Sequence, residues 1–306
     1  MSVTFSEQAQ FFLESSQNRK RNPVKIATVT AWQASLKKWL IPHFQDAPLG
    51  TVANASVRTL VEKMYRHGLS ASTIVTYVNL VKLIVASALT EEGEPQYPRK
   101  WNSNFIDLPT VTNQRQPFFK PEELEAIVKN STGQVRMLSA LLAGTGLRVG
   151  EALGLEIRHI SPDGGTLKVE QSAWATTIQT PKTVNAHRQV DLHSDLAAML
   201  AEFVDGRKTG LVFRNAHGNL MSQTNTLRRD FHPLLKRLGI EKQGFHGFRR
   251  FRCTWLRRNA VSEDLVKYWL GHAAKDVTDR YSKVSEDTEF RKMVSEKVGL
   301  GFAVCR

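Results

Sequence analysis

The sequence predicts a protein that is mainly α-helical with a small antiparallel β-sheet, arranged as an all-α N-terminal domain followed by an α+β domain. Three observations predict it. Apolar residues recur at helical spacing between glycine and proline stops from residue 23 to 108. A polar stretch holding Pro109 and Pro117 then breaks the pattern. Around 165–192 the period changes from helical to alternating, with β-branched residues.

Residues 1–22 read as a polar leader closed by Arg19, Lys20 and Arg21. Thr28 is placed to cap a helix carrying Trp32, Leu36, Trp39 and Leu40, with Pro42 as its stop. Val57, Leu60, Val61 and Met64 form a second stripe that ends at Gly68, a C-terminal cap position. Ser72 opens a third, carrying Ile74, Tyr77, Val78, Val81, Ile84 and Val85. These elements predict a helical domain over 23–108, and Pro109–Pro117 is the linker. Pro121 with Glu122, Glu123 and Glu125 suits a helical first turn. A further helix is expected over about 134–143, and the Gly144-Thr145-Gly146 turn leads into the next. Asp163-Gly164-Gly165 marks the turn before the sheet, which takes Leu167, Val169, Ala173, Ile178, Val190 and Leu192. Helical patterns return from His193, interrupted near 210–221, so the second domain spans 117–306.

The 306 residues carry a formal charge of +13 and 41% hydrophobic content. That composition excludes wholesale disorder and makes nucleic acid the expected partner, because neutralised phosphates release counterions. A merely soluble basic protein is the bland alternative. Two cysteines, no apolar leader and no membrane-length apolar run point to a cytoplasmic protein without a disulfide framework. No phosphate loop, HExxH, CxxC or GxSxG motif is present, and His187 with His193 lacks a third metal ligand, so neither a metal nor another cofactor is expected.

Four basic clusters carry the remaining information. Arg148 follows a glycine turn and is expected on the first turn of a helix, with Glu151 one turn later on the same face. By itself an R-x-x-E pair is usually a surface ion pair. Lys182 lies between Pro181 and Thr183, where a hairpin turn is expected and a lysine is ordinarily just solvated. His246 and Arg249 are one helical turn apart, with Arg250 and Arg252 as nearby decoys. His272 follows Leu270-Gly271 and alone reads as a structural histidine. Tyr281, nine residues on, alone reads as a half-buried core tyrosine.

In this order and spacing, GTGLRVGEALGL, the lysine of TPKTVNAHRQVDL, HGFR and LGH followed by Tyr281 resemble the tyrosine recombinase (phage integrase) family. The resemblance runs from about Pro117 to Lys283, and the helical first domain looks like that family's core-DNA-binding domain. Gly247 stands where the family often has aspartate. The resemblance implies a two-domain clamp on double-stranded DNA. In it Arg148 and Arg249 bind the scissile phosphate, His272 adds a hydrogen bond, and Tyr281 is the nucleophile. His246 would accept the tyrosine proton and Lys182 protonate the leaving 5′ oxygen. It further implies a 3′-phosphotyrosyl intermediate that needs neither metal nor ATP, a homo-tetramer on DNA, and room for an accessory DNA-bending protein. Phe290, Met293, Val294 and Val298 make a short apolar stripe after Tyr281, fit to dock on a neighbouring protomer or on its own core. Type IB topoisomerase-like relaxation, chromosome-dimer resolution and a DNA-binding protein without chemistry are the rival readings.

Overall fold

A computed structural model describes residues 3–112, 116–179, 187–272 and 283–304. The chain divides into two compact units, Met1–Gln114 and Arg115–Arg306, each with its own apolar core. Among the described residues no helix is long and apolar enough to cross a membrane.

The first unit is all α. Its first helix, α1 (Phe5–Gln17), replaces the expected polar leader. Thr4 and Glu7 close a capping box at its start, and Phe5, Ala9, Phe12 and Leu13 are buried. Those four positions follow helical spacing; the polar residues between them lower the average and hide the stripe. The helical domain therefore begins before residue 23.

Helix α2 (Ile26–Ser35) is capped at Lys25 without a side-chain bond, so Thr28 lies inside it rather than at its start. Pro42 does not stop this helix either. A π-helical turn over Leu36–Leu40 carries it into α3 (Ile41–Phe44), with the Ile41 N–H donating to the Leu36 carbonyl. A proline inside a helix lacks a donor and crowds the preceding turn. A wider turn just before it shifts the hydrogen-bond register and lets the chain continue. The chain repeats the device in the second unit: a π-helical turn over Thr226–Phe231 precedes Pro233.

Helix α4 (Asn54–Arg66) follows its predicted stripe and is succeeded by Gly68 at positive φ. Helix α5 (Ala71–Ala86) is capped by Ser70, whose hydroxyl accepts from the Thr73 N–H, rather than by Ser72. A short α6 (Ser103–Ile106) completes the unit.

The second unit opens with α7 (Pro121–Lys129), α8 (Gly133–Thr145) and the short α9 (Val149–Leu153). Among the described residues four short strands follow, in two antiparallel pairs. β1 (Thr166–Val169) pairs with β4 (Arg188–Asp191), in a register that sets Thr166 opposite Asp191 and Val169 opposite Arg188. β2 (Ser172–Trp174) pairs with β3 (Thr177–Gln179). Then come α10 (Ser194–Val204), α11 (Gln223–Asn225), α12 (His232–Arg237), α13 (His246–Arg258), α14 (Glu263–Leu270) and α15 (Thr288–Val298). The predicted class, mainly helical with a small antiparallel sheet, is what forms.

Candidate active site

The buried α8 ends at Gly146, which adopts the left-handed conformation at φ 71°. A Cβ there would meet Leu270 Cδ2 at 2.7 Å, so only glycine lets this turn approach the end of α14. The chain then delivers Arg148 to the N-cap of α9, one position earlier than the expected first turn. Glu151 holds it twice: the Arg148 backbone N–H donates to Oε2 at 3.0 Å, and Nη1 donates to Oε1 at 2.8 Å. Glu151 is buried while Arg148 keeps nearly half of its side chain exposed. The carboxylate thus aims a cation that can still reach a ligand.

Sequence reasoning missed the second partner of Glu151. Arg188, on β4, donates from Nη2 to Glu151 Oε2 at 2.9 Å and from Nε to the Trp269 carbonyl at 2.7 Å, with its side chain wholly buried. Its position among the polar residues of TPKTVNAHRQVDL carried no local signal. The alternation of the strand, which puts Arg188 with the apolar Val190, was the cue available. Burial by itself would raise the Glu151 pKa, but Arg188 and Arg148 outweigh it and hold the carboxylate below its ordinary range.

Helix α13 begins at His246, so Arg249 lies one turn inside it and is buried. Its Nη1 donates to the Gly146 carbonyl at 2.9 Å and its Nη2 to the Leu270 carbonyl. One guanidinium therefore joins the turn before Arg148 to the end of the helix before His272. It has five N–H donors, so donors remain for an anion. Desolvation first, then the charge of Arg148, pushes its pKa down to about 10, which still leaves it cationic at neutral pH. Arg252 points elsewhere: it donates to the Gly299 carbonyl at 2.7 Å and ties α13 to the C-terminal segment.

His272 follows Gly271, the left-handed C-cap of α14 at φ 62°. A Cβ at Gly271 would stand 2.8 Å from Arg188 Nη1, so this turn, too, is packed against the arginine cluster. The His272 N–H donates to the Lys267 carbonyl at 3.0 Å. Burial, then the charges of Arg249, Arg148 and Arg188, holds its imidazole below the ordinary 6.5. His246 is depressed in the same direction by burial, Arg250, Arg249 and Arg148. Arg148, Arg249, His246 and His272 thus share one cationic site, whereas Lys182 and Tyr281 lie outside the described residues. Among the described residues no group of three or more His, Cys, Asp and Glu is placed to hold a metal ion.

Such a cluster, with Arg188 and Arg249 buried and Arg148 half exposed, fits an anionic, phosphate-like group. The phage integrase family model matches residues 117–288, more than half of the chain, and the chain belongs to that family, whose tyrosine recombinases cleave and rejoin DNA. A tyrosine recombinase XerC-like protein of Caldanaerobacter subterraneus is 26% identical over 263 residues, covering 75% of this chain and 66% of that longer protein. Tyrosine recombinase XerD of Staphylococcus haemolyticus is 23% identical over 284 residues, covering 88% of this chain and 91% of its own length. The Tn1549 transposon integrase, solved in complex with a circular intermediate DNA, shares the fold at a TM-score of 0.73 and 17% identity. That likeness covers 95% of this chain and all of the solved one.

Proposed function

We propose that this chain is a site-specific recombinase that cuts and rejoins double-stranded DNA through Tyr281. The observation that carries the reading is the Arg249 guanidinium, which draws the Arg148 turn and the His272 turn to one place. Two guanidinium groups there neutralise the non-bridging oxygens of a phosphodiester as charge shifts in the transition state. His272 donates a further hydrogen bond to the same oxygens.

Tyr281 attacks phosphorus, and His246, kept neutral at pH 7 by burial and then by its cationic neighbours, accepts the phenolic proton. The 5′ oxygen leaves with a proton from Lys182. The bond that forms is a 3′-phosphotyrosyl ester, which conserves the energy of the broken one. Attack by another strand's 5′-hydroxyl reverses the chemistry, so neither ATP nor a metal is consumed. Exchange between two duplexes requires four active sites, hence a tetramer on paired DNA sites; an accessory DNA-bending protein would assist where those sites are distant. The protein acts in the cytoplasm.

A nicked suicide substrate tests the assignment. The wild-type chain is expected to accumulate a covalent adduct in EDTA, and Tyr281→Phe none. An adduct with Tyr281→Phe refutes the nucleophile. Relaxation of supercoils without a paired site would favour the topoisomerase-like reading instead.

A further inference from the structure

The C-terminal helix α15 is fastened to the catalytic unit by an ion pair with no solvent contact. Arg291 Nε lies 2.9 Å from Asp191 Oδ2, and both side chains are fully buried. Asp191 Oδ2 also accepts from Trp269 Nε1 at 2.7 Å. The Arg291 guanidinium reaches further, to Gln189 Oε1 at 3.1 Å and over the Tyr268 ring at 5.2 Å from its centroid. Its Nη1 donates to two backbone carbonyls, Val284 at 3.2 Å and Ser285 at 2.6 Å.

A buried ion pair is a poor way to gain stability, because desolvating both charges cancels most of their attraction. Replacing a buried ion pair by apolar residues of similar volume is often neutral for stability. What the arginine supplies, and an apolar side chain cannot, is direction: it fixes two carbonyls at defined points. Those carbonyls stand three and four residues after Tyr281 in the sequence. Three residues of chain span at most about 11 Å, so fixing Val284 bounds where Tyr281 can be.

The same strand serves both ends of this arrangement. Strand alternation sends Arg188 of β4 to Glu151 and Trp269, within the cationic site, and sends Gln189 and Asp191 to Arg291. Trp269 is bonded from both sides, its carbonyl by Arg188 and its indole by Asp191. Glu151, which holds Arg148, and the carbonyls of Val284 and Ser285 are therefore both tied to β4, the one through Arg188 and the others through Arg291.

We infer that Arg291 and Asp191 are a positioning pair that sets the register of the Tyr281 segment against the arginine cluster. The inference rests on Tyr281 being the nucleophile. Three variants test it: Arg291→Met, Arg291→Lys, and the double exchange Asp191→Leu with Arg291→Met, which replaces the pair by apolar contact. For each, DNA affinity, thermal midpoint and the single-turnover rate of adduct formation on a nicked substrate are measured separately.

The double variant is expected to fold and to bind DNA as the wild type does, yet to form adduct about 10- to 100-fold more slowly, the scale of a misplaced reacting group. Arg291→Lys, which restores the charge but not the two-carbonyl grip, should fall between. An adduct rate equal to wild type in any folded variant overturns the inference. So does a rate loss that merely tracks lost DNA affinity or a lowered midpoint. Tyr281→Phe, run alongside, separates the two failures: adduct from that variant removes the nucleophile assignment itself, whatever Arg291 does.

Discussion

Glu151 is the residue on which the site's charge balance turns. It faces two arginines, and its depressed pKa means that the pairing stabilises the fold above the carboxylate's unfolded pKa and is lost as pH falls through the folded value. Arg188→Met removes the buried partner, leaves Trp269 without its donor, and is expected to cost about 3 kcal/mol in urea unfolding. The histidines give a second prediction. Burial and neighbouring arginines favour their neutral forms, so His246 can serve as a base below the ordinary 6.5 before protonation stops it. The acid limb of the single-turnover cleavage rate at subsaturating DNA should therefore lie below pH 6.5, and His246→Gln should abolish that limb. A limb at or above 6.5 in the wild type would dismiss His246 as the base.

At the scale of elements, the site is made of ends: the N-cap of α9, the first turn of α13 and the left-handed C-cap of α14. Helix ends carry side chains and unpaired backbone groups out of the core without unfolding the helices behind them. The start of α13 also accounts for Gly247. A Cβ there would meet Phe119 Cε2 at 2.8 Å, and Phe119 is fully buried between Phe231 and Phe248. The aspartate often found at this position in the family has no room in this chain. Gly247→Asp is expected to destabilise by about 1–3 kcal/mol through overpacking, measured by chemical denaturation. Combining it with Phe119→Leu should recover part of the loss.

For the molecule as a whole, the +13 charge sets how it meets DNA. Phosphate neutralisation makes affinity fall with salt, and a protein contacting 6–10 phosphates loses roughly 10³–10⁵ in affinity between 50 and 200 mM. Titrating a DNA duplex at stepped NaCl should give a steep negative log–log slope. A flat slope would dismiss the basic charge as a DNA-binding feature. The C-terminal segment belongs to this scale as well. Its apolar residues do not act as one stripe: Val298 is buried and Val294 packs on the core, while Phe290 and Met293 face outward. Arg291 and Ser295 take the inner face, and Leu300 and Phe302 enter the core of the same chain.

Much of this was legible in the order of residues. Helical spacing located α4 and α5, the proline and acids of a first turn located α7, the change of period located the sheet, and four spaced boxes named the family, because periodicity, capping chemistry and motif spacing are local properties. Local patterns misled where polar residues diluted a stripe, as in α1, and where a π-helical turn carried the chain past Pro42. The sequence by itself determined the chemistry available: two arginines, two histidines, a lysine and a tyrosine, in a fixed order on a basic chain. Spacing from His246 already singles out Arg249 in the FRRFR run; only the tertiary structure decided that Arg252 ties down Gly299. It also decided that Arg188 shares Glu151, and that Arg291 pairs with Asp191 across 100 residues of chain. A buried charge is specified by the partner that offsets its desolvation, and that partner is brought to it by packing, not by spacing along the chain.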